Sequence, residues 1–518
     1  NWKGWIFNNQ FVLTHFKTGA AKGDFLRPVI DMSKQMKTLK NWRLGFRYAL
    51  EQNKTAQSAN GNLLPQAFSF DTYSVYLKSD ELRKNRYGIT FFTRQDKYPL
   101  LDKLVKGDRS INLNLQTELL KNEKRKLFLN TTFRKLKTAT NGLSPYKDDE
   151  TILGRIEYRM NEWKGLLNGD VLYEVGTGQE QRRDFAYLEV PAGTGQYAWI
   201  DYNADGVQQL NEFEFALFPD QAKYIRIFTP TNEFIKANYI TFNYNFTISP
   251  KAILGNGKLT GMKRILSRTI LMTTLQNVRK SLATGSFAFN PFKYDINNQA
   301  LISSGTNWTN TLSFNRFGSV WGFDLASSRD NGKALLTYGY ETRRKNDWIF
   351  KTRLNFNKAF AFTLNAKNGM LELLTPQFSN RNYHLDISNA EPMFTFIRGS
   401  SFRIVTGYKY EVKKNAQQYG GEKAVSNSLN VESKYSLLQN SSLTAKFTFN
   451  NIDFKYPATT AVSYIMLDGL QPGKNYLWSL NYNKRLLNNL ELGFQYDGRK
   501  PGTSRMIHTG RATITALF

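Results

Sequence analysis

The stretch Asp201-Tyr202-Asn203-Ala204-Asp205-Gly206-Val207-Gln208-Gln209-Leu210-Asn211-Glu212 places oxygen donors at a regular spacing. Side-chain oxygens stand at Asp201, Asn203 and Asp205, a glycine follows at Gly206, a backbone carbonyl is on offer at Val207, and Glu212 closes the run. Gln209 stands where a water often mediates in loops of this register. Hard cations take six to eight oxygens, and a glycine at the sixth position allows the sharp turn that gathers them. The register is that of an EF-hand calcium loop, with Asp201, Asn203, Asp205, Val207, Gln209 and Glu212 as candidate ligands of a structural calcium ion.

Two features depart from a paired sensor hand. Gln208 replaces the usual aliphatic residue, and no long helix precedes Asp201. The segment looks like a solitary structural loop, as in dockerin-type repeats. The metal-free alternative is an Asx-rich turn leading into a short helix over Asn211–Leu217.

Other chemistry is sparse. The only histidines, His15, His384 and His508, lie far apart with no spacing of a zinc site or a hydrolase triad. Asp148, Asp149 and Glu150 form a run that suits a solvated loop, and the glycines at 176–178 and 193–195 open no helix that would hold phosphate. No cysteine is present, which excludes disulfides and thiolate chemistry. The chain is therefore expected not to be an enzyme, with no catalytic residue singled out.

The elements that must carry the loop are strands. Mean hydropathy is −0.49, and no stretch approaches the ~20 apolar residues of a spanning helix. Aromatics nonetheless reach 14%. Many rings with few apolar runs suit a surface that is greasy on one side. Alternation recurs almost throughout: Ile111, Leu113 and Leu115 interleave with Asn112, Asn114 and Gln116, and Phe242, Tyr244 and Phe246 with Asn243, Asn245 and Thr247. The segments Leu443–Asn450, Tyr476–Tyr482 and Leu490–Asp497 repeat it.

Side chains on a strand point alternately to opposite faces, so each run carries one apolar and one polar face. The runs reach the ~9–11 residues that a tilted strand needs to cross a bilayer. Tyr87, Trp308, Trp321 and Tyr476 sit near run ends, as interfacial girdles do. Backbone groups in hydrocarbon must all be paired, which demands a closed sheet.

The expected fold is all-β: a single large transmembrane antiparallel β-barrel of about 20 strands, range roughly 18–24, with one long loop insertion containing a short helix. Residues 1–190 form its first part, 191–238 the insertion, and 239–518 the remainder. Turns are expected at Asn331-Gly332, Asn368-Gly369, Asn488-Asn489 and Asp497-Gly498. The ending Gly510–Phe518 alternates small or apolar residues and closes on an aromatic, resembling the assembly signal of bacterial outer-membrane barrels.

A net charge of +28 is scattered through turns and between apolar positions, as in 121–126, without a basic tail or helix. Nucleic acid is not the expected partner; membrane lipid, anionic lipopolysaccharide and other envelope proteins are. The chain opens directly into Asn1-Trp2-Lys3-Gly4-Trp5, which suggests a processed start or material upstream.

The segments Trp199–Asn203, Asn211–Glu214, Asp220–Arg226 and Thr229–Asn232, with Leu470–Trp478 and Gly498–Gly502, resemble large, mostly uncharacterised outer-membrane proteins of Bacteroidota. The resemblance covers under a fifth of the chain, and implies an envelope location and a longer precursor but no activity. The first functional reading is a channel, or a non-enzymatic subunit of an envelope translocation or assembly complex. A TonB-dependent-type uptake barrel with its plug elsewhere is the alternative. A soluble secreted β-rich adhesin is the third.

Overall fold

The computed structural model describes residues 4–139, 142–144, 146–255, 259–283, 290–292, 296, 300–336, 339–437, 440–486 and 490–516; for 181–183, 230–234, 336 and 437 only the backbone is described. The turn at Asn488-Asn489 and the terminal Leu517 and Phe518 lie outside these residues.

Among the described residues, 24 strands join one large antiparallel sheet, at the top of the expected range and above its centre, and no pairing of the first strand, Trp5–Lys17, with the last, Ile507–Ala516, closes it as the expected barrel requires. Tyr197–Trp199 and Phe213–Phe215 are three residues each; most of the others run well past ten, as in Lys103–Leu119 at 17 and Trp321–Leu336 at 16. Each long strand pairs with the next in sequence, including Leu167–Glu189 with Tyr224–Ile248. The chain divides into two compact units. One comprises Asn1–Arg182, Pro230–Phe246 and Gln276–Ile302, and the other Arg183–Thr229, Thr247–Leu275 and Ser303–Phe518.

In the first unit, burial runs opposite to that of a water-soluble strand. Along Lys103–Leu119, Asp108, Ser110 and Asn112 are buried while Ile111, Leu113 and Leu115 are exposed. Register carries this across neighbouring strands. Phe91 pairs with Leu113, Leu113 with Phe133, and Phe133 with Ile152, and all four are exposed. The next row over, Phe92, Asn112, Arg134 and Thr151, lies on the other face. Soluble proteins bury such apolar residues and expose such polar ones.

The second unit repeats the inversion in part. Leu429, Tyr435, Leu443 and Phe447 are exposed, and Ser428, Asn450 and Asn475 form a buried polar row. Its polar face becomes apolar near one edge. There Leu373, Leu385, Ile387, Ile452 and Phe454 form a core with Val462 and Met466 of the helix Ala461–Met466. The Thr460 hydroxyl starts that helix by accepting from the Ser463 N–H at 3.0 Å. The connections 190–223, 416–422 and 455–472 leave from this edge, while the opposite one carries the tight turns 356–359 and 399–401 and the longer connection 249–268 with the helices Lys251–Leu254 and Gly261–Leu266.

Three expected turns are strand interior instead. Asn331-Gly332, Asn368-Gly369 and Asp497-Gly498 lie within Trp321–Leu336, Phe360–Leu374 and Leu490–Lys500. Two of these glycines serve close approach. A Cβ on Gly369 would lie 2.1 Å from Asp347 Oδ1, and one on Gly498 would lie 2.2 Å from the Trp478 ring. The glycine signal was real, and its cause was packing against the neighbouring strand.

Candidate functional site

The insertion spans 190–223, because the returning strand begins at Tyr224, well before Tyr239. Its base is closed by backbone bonds from Val190 N to Lys223 O at 2.7 Å and from Gly195 N to Ala222 O at 2.9 Å. Gly195 permits that approach, since a Cβ there would meet Tyr224 N at 2.6 Å. The strands Tyr197–Trp199 and Phe213–Phe215 then form a hairpin, Trp199 opposite Phe213. Rings hold the hairpin to its base: Tyr187 stacks on Phe213 at 4.0 Å and Phe213 meets Tyr224 edge-on at 5.1 Å.

The calcium-type loop is the tip of this hairpin. The expected helix over Asn211–Leu217 is replaced by a single 3₁₀ turn, Leu210–Glu212, followed directly by a strand. The apolar-polar alternation of Phe213-Glu214-Phe215 is what the hairpin uses. Gly206 at φ 72° and Ala204 at φ 59° provide the left-handed positions of the turn.

Carboxylate oxygens of Asp201, Asp205 and Glu212 lie within 4.8 Å of one another. Asp201 accepts from Gly206 N at 2.8 Å, and Asp205 accepts from Val207 N at 2.7 Å. The amides of Asn203 and Gln209 each donate to Asp205 Oδ2 at 2.8 Å. Glu212 is buried and accepts from Trp199 Nε1 at 2.9 Å. Five of the six candidate side chains thus converge, while the Val207 side chain is exposed and only its backbone takes part. This donor set fits a hard divalent cation: three carboxylates, two amides within reach, and a carbonyl in register. Within the loop, burial pushes the Tyr202 phenol well above its ordinary range.

Sequence reasoning missed how the insertion is fixed to its unit. Glu214 is buried and accepts from Arg381 Nη2 at 2.8 Å. Asp220 accepts from Arg499 Nη2 at 2.7 Å, and the Arg499 guanidinium lies 3.8 Å over the Phe218 ring. The Tyr464 hydroxyl, on the helix Ala461–Met466, bonds Gln221 Oε1 at 3.2 Å and Phe215 O at 3.3 Å. Burial raises the Glu214 carboxyl above the usual carboxylate range, with Arg381 opposing the shift. The one signal available was a carboxylate between two phenylalanines, which a strand turns to the face opposite theirs.

The three histidines make separate contacts, His15 with Asp24, His384 with Glu372 at 3.7 Å and His508 with Tyr496 at 2.8 Å.

No family model matches the chain, and no curated protein does. Several solved structures are distantly similar. The ferric-catecholate import receptor Fiu of E. coli K12 aligns at 10% identity over 92% of this chain and 75% of its own, with a TM-score of 0.32. A ferric enterobactin receptor (PfeA) mutant of Pseudomonas aeruginosa aligns at 10% identity over 94% and 74%, TM-score 0.36. The FrpB iron transporter of Neisseria meningitidis aligns at 10% identity over 99% and 82%, TM-score 0.37.

Proposed function

We propose that this chain is an integral β-barrel of the bacterial outer membrane that passes solute along its polar face, with the 190–223 insertion as a braced lid. One observation carries the reading: contiguous rows of Phe, Leu and Ile are exposed, while Asp, Ser and Asn on the same strands are buried. In water that arrangement wastes the hydrophobic effect. Against hydrocarbon it is the stable one, and strands of 13–17 residues are long enough to cross and project beyond the bilayer.

The unequal connections support an orientation. Outer-membrane barrels carry short periplasmic turns and longer outer loops; most long connections, 190–223 and 455–472 among them, share one edge, which we read as outward, with 249–268 the exception at the other. An insertion held by Glu214–Arg381 and Asp220–Arg499 favours gated passage, the transporter-type alternative, over a permanently open channel. The exposed rings speak against a soluble adhesin. Asp201, Asn203, Asp205, Val207, Gln209 and Glu212 are proposed to hold a structural calcium ion that stiffens the hairpin tip; the ion supplies charge neutralisation and no reaction.

The test is reconstitution in lipid vesicles with conductance recording. The parent is expected to migrate faster on gels before heating than after and to conduct little. The Asp220→Ala/Glu214→Ala double variant is expected to conduct more. A parent that stays monodisperse without detergent ends the membrane reading; equal conductance in parent and variant ends the lid.

A further inference from the structure

On the polar face of the first unit lies a cavity of about 870 Å³, within the size range of small-molecule sites. Its lining gathers rings on the polar face. Phe68, Phe70 and Phe92 line it together with Tyr98, while other rings of the same strands, such as Phe91 and Tyr73, lie on the opposite, exposed face. Phe68 and Phe70 are near-parallel, with interplanar angle 10° and centroids 6.2 Å apart. No lipid reaches this face in the proposed barrel, so these rings need another reason to be there.

The charges of the cavity are largely paired within the wall. Arg94 lies 3.7 Å above the Phe70 ring and holds Asp96 at 2.6 Å. Lys97 holds Asp71 at 2.6 Å, and Asp149 holds Lys236 at 2.9 Å. Asp108 is satisfied by the Tyr98 hydroxyl at 2.8 Å and the Ser144 hydroxyl at 2.6 Å. A site built for an anion would leave cations in excess. The rest of the polar wall is hydroxyl and amide: Thr151, Thr132, whose oxygen accepts from Asn114 at 2.9 Å, and Asn112, whose amide donates to Ser110 at 3.1 Å, with the exposed guanidinium of Arg134 beside them.

Flat apolar rings beside groups that both donate and accept match one ligand class. A sugar ring offers C–H faces to stack on aromatics and hydroxyl edges that donate and accept together. We infer that this cavity binds a neutral oligosaccharide, with Phe68 and the face of Phe70 away from Arg94 as the stacking platform and Thr132, Thr151 and Arg134 on the hydroxyl edge. The inference rests on the proposed barrel for the orientation of its faces.

The experiment is calorimetric titration of the full chain in detergent with maltohexaose, cellohexaose and chitohexaose at millimolar concentration, and with an oligogalacturonate as the acidic counterpart. At least one neutral hexasaccharide is expected to bind. Phe68→Ala/Phe70→Ala should weaken it at least about tenfold, the equivalent of ~1.4 kcal/mol. Thr132→Val/Thr151→Val, which keeps shape and removes two hydroxyls, should weaken it too, and so covers the case in which the ring variant does not fold. Binding by none of the three, undiminished binding by a folded variant, or preference for the oligogalacturonate overturns the assignment. Heat-modifiable gel mobility of the same samples reports separately on the barrel.

Discussion

The strand Lys103–Leu119 and the patch around Leu373 and Leu385 are built from the same alternation and bury opposite halves of it. In the first, Leu113 is 37% exposed and Asn112 only 4%. In the second, Leu385 is 0% exposed and packs with a helix and a neighbouring strand. One pattern therefore serves two environments. What decides is the material over each face: no helix or second layer among the described residues over Leu113, which is 37% exposed, and the helix Ala461–Met466 over Leu385.

Substitutions that respect this difference should give opposite results. Leu385→Ala empties a packed site, and is expected to cost about 2–5 kcal/mol in denaturant unfolding whether the protein sits in detergent or lipid. Leu113→Arg touches a surface that would be harmless in water, within about 0.5 kcal/mol. If Leu113 meets hydrocarbon, the same change costs about 2–4 kcal/mol at mid-membrane depth. Unfolding measured in vesicles separates the two outcomes, and a value near zero there would remove the lipid-facing assignment of this strand.

The wall was legible because its signal has period two and repeats. Ile111, Leu113 and Leu115 announce a strand with one greasy face whatever lies beyond it. The strand count fell short in part because Tyr197–Trp199 and Phe213–Phe215 are too short to show a period and lie in what reads as loop; Tyr224–Phe228, between prolines, reads as loop too and lengthens the strand to Ile248. Gly369 and Gly498 read as turns because glycine marks both a turn and a crowded backbone, and only the neighbouring strand tells which. The candidate ligands were legible because chelation fixes spacing along the chain. Arg381 and Arg499 were not: they reach Glu214 and Asp220 across 167 and 279 positions, and nothing local in the sequence encodes such a pairing.

The hairpin tip allows a sharper comparison, since its proposed stability depends on a ligand. At calcium one hundred times above its dissociation constant, linkage gives about 2.7 kcal/mol to the bound form. The thermal transition of the insertion should rise with calcium in the parent and stay fixed in Asp201→Ala/Asp205→Ala. Equal transitions with calcium and with chelator in the parent would end the metal assignment.

The smallest effect concerns pH. Burial raises the Glu214 carboxyl above its ordinary value near ~4.3, so the docked insertion holds that proton more tightly than the undocked one. For an acid shifted upward, the associated stability is complete below the ordinary value and is lost as pH rises through the raised one. Docking is therefore expected to weaken as pH rises across that window, read as faster protease cleavage within 190–223. Glu214→Gln keeps an acceptor for Arg381 and removes the titration, so its cleavage rate should be flat across the same range. A parent profile that is already flat, or that slopes the other way, would mean that Arg381 outweighs burial and holds Glu214 ionised throughout. The insertion would then be fixed by an ion pair that salt, rather than protons, can loosen.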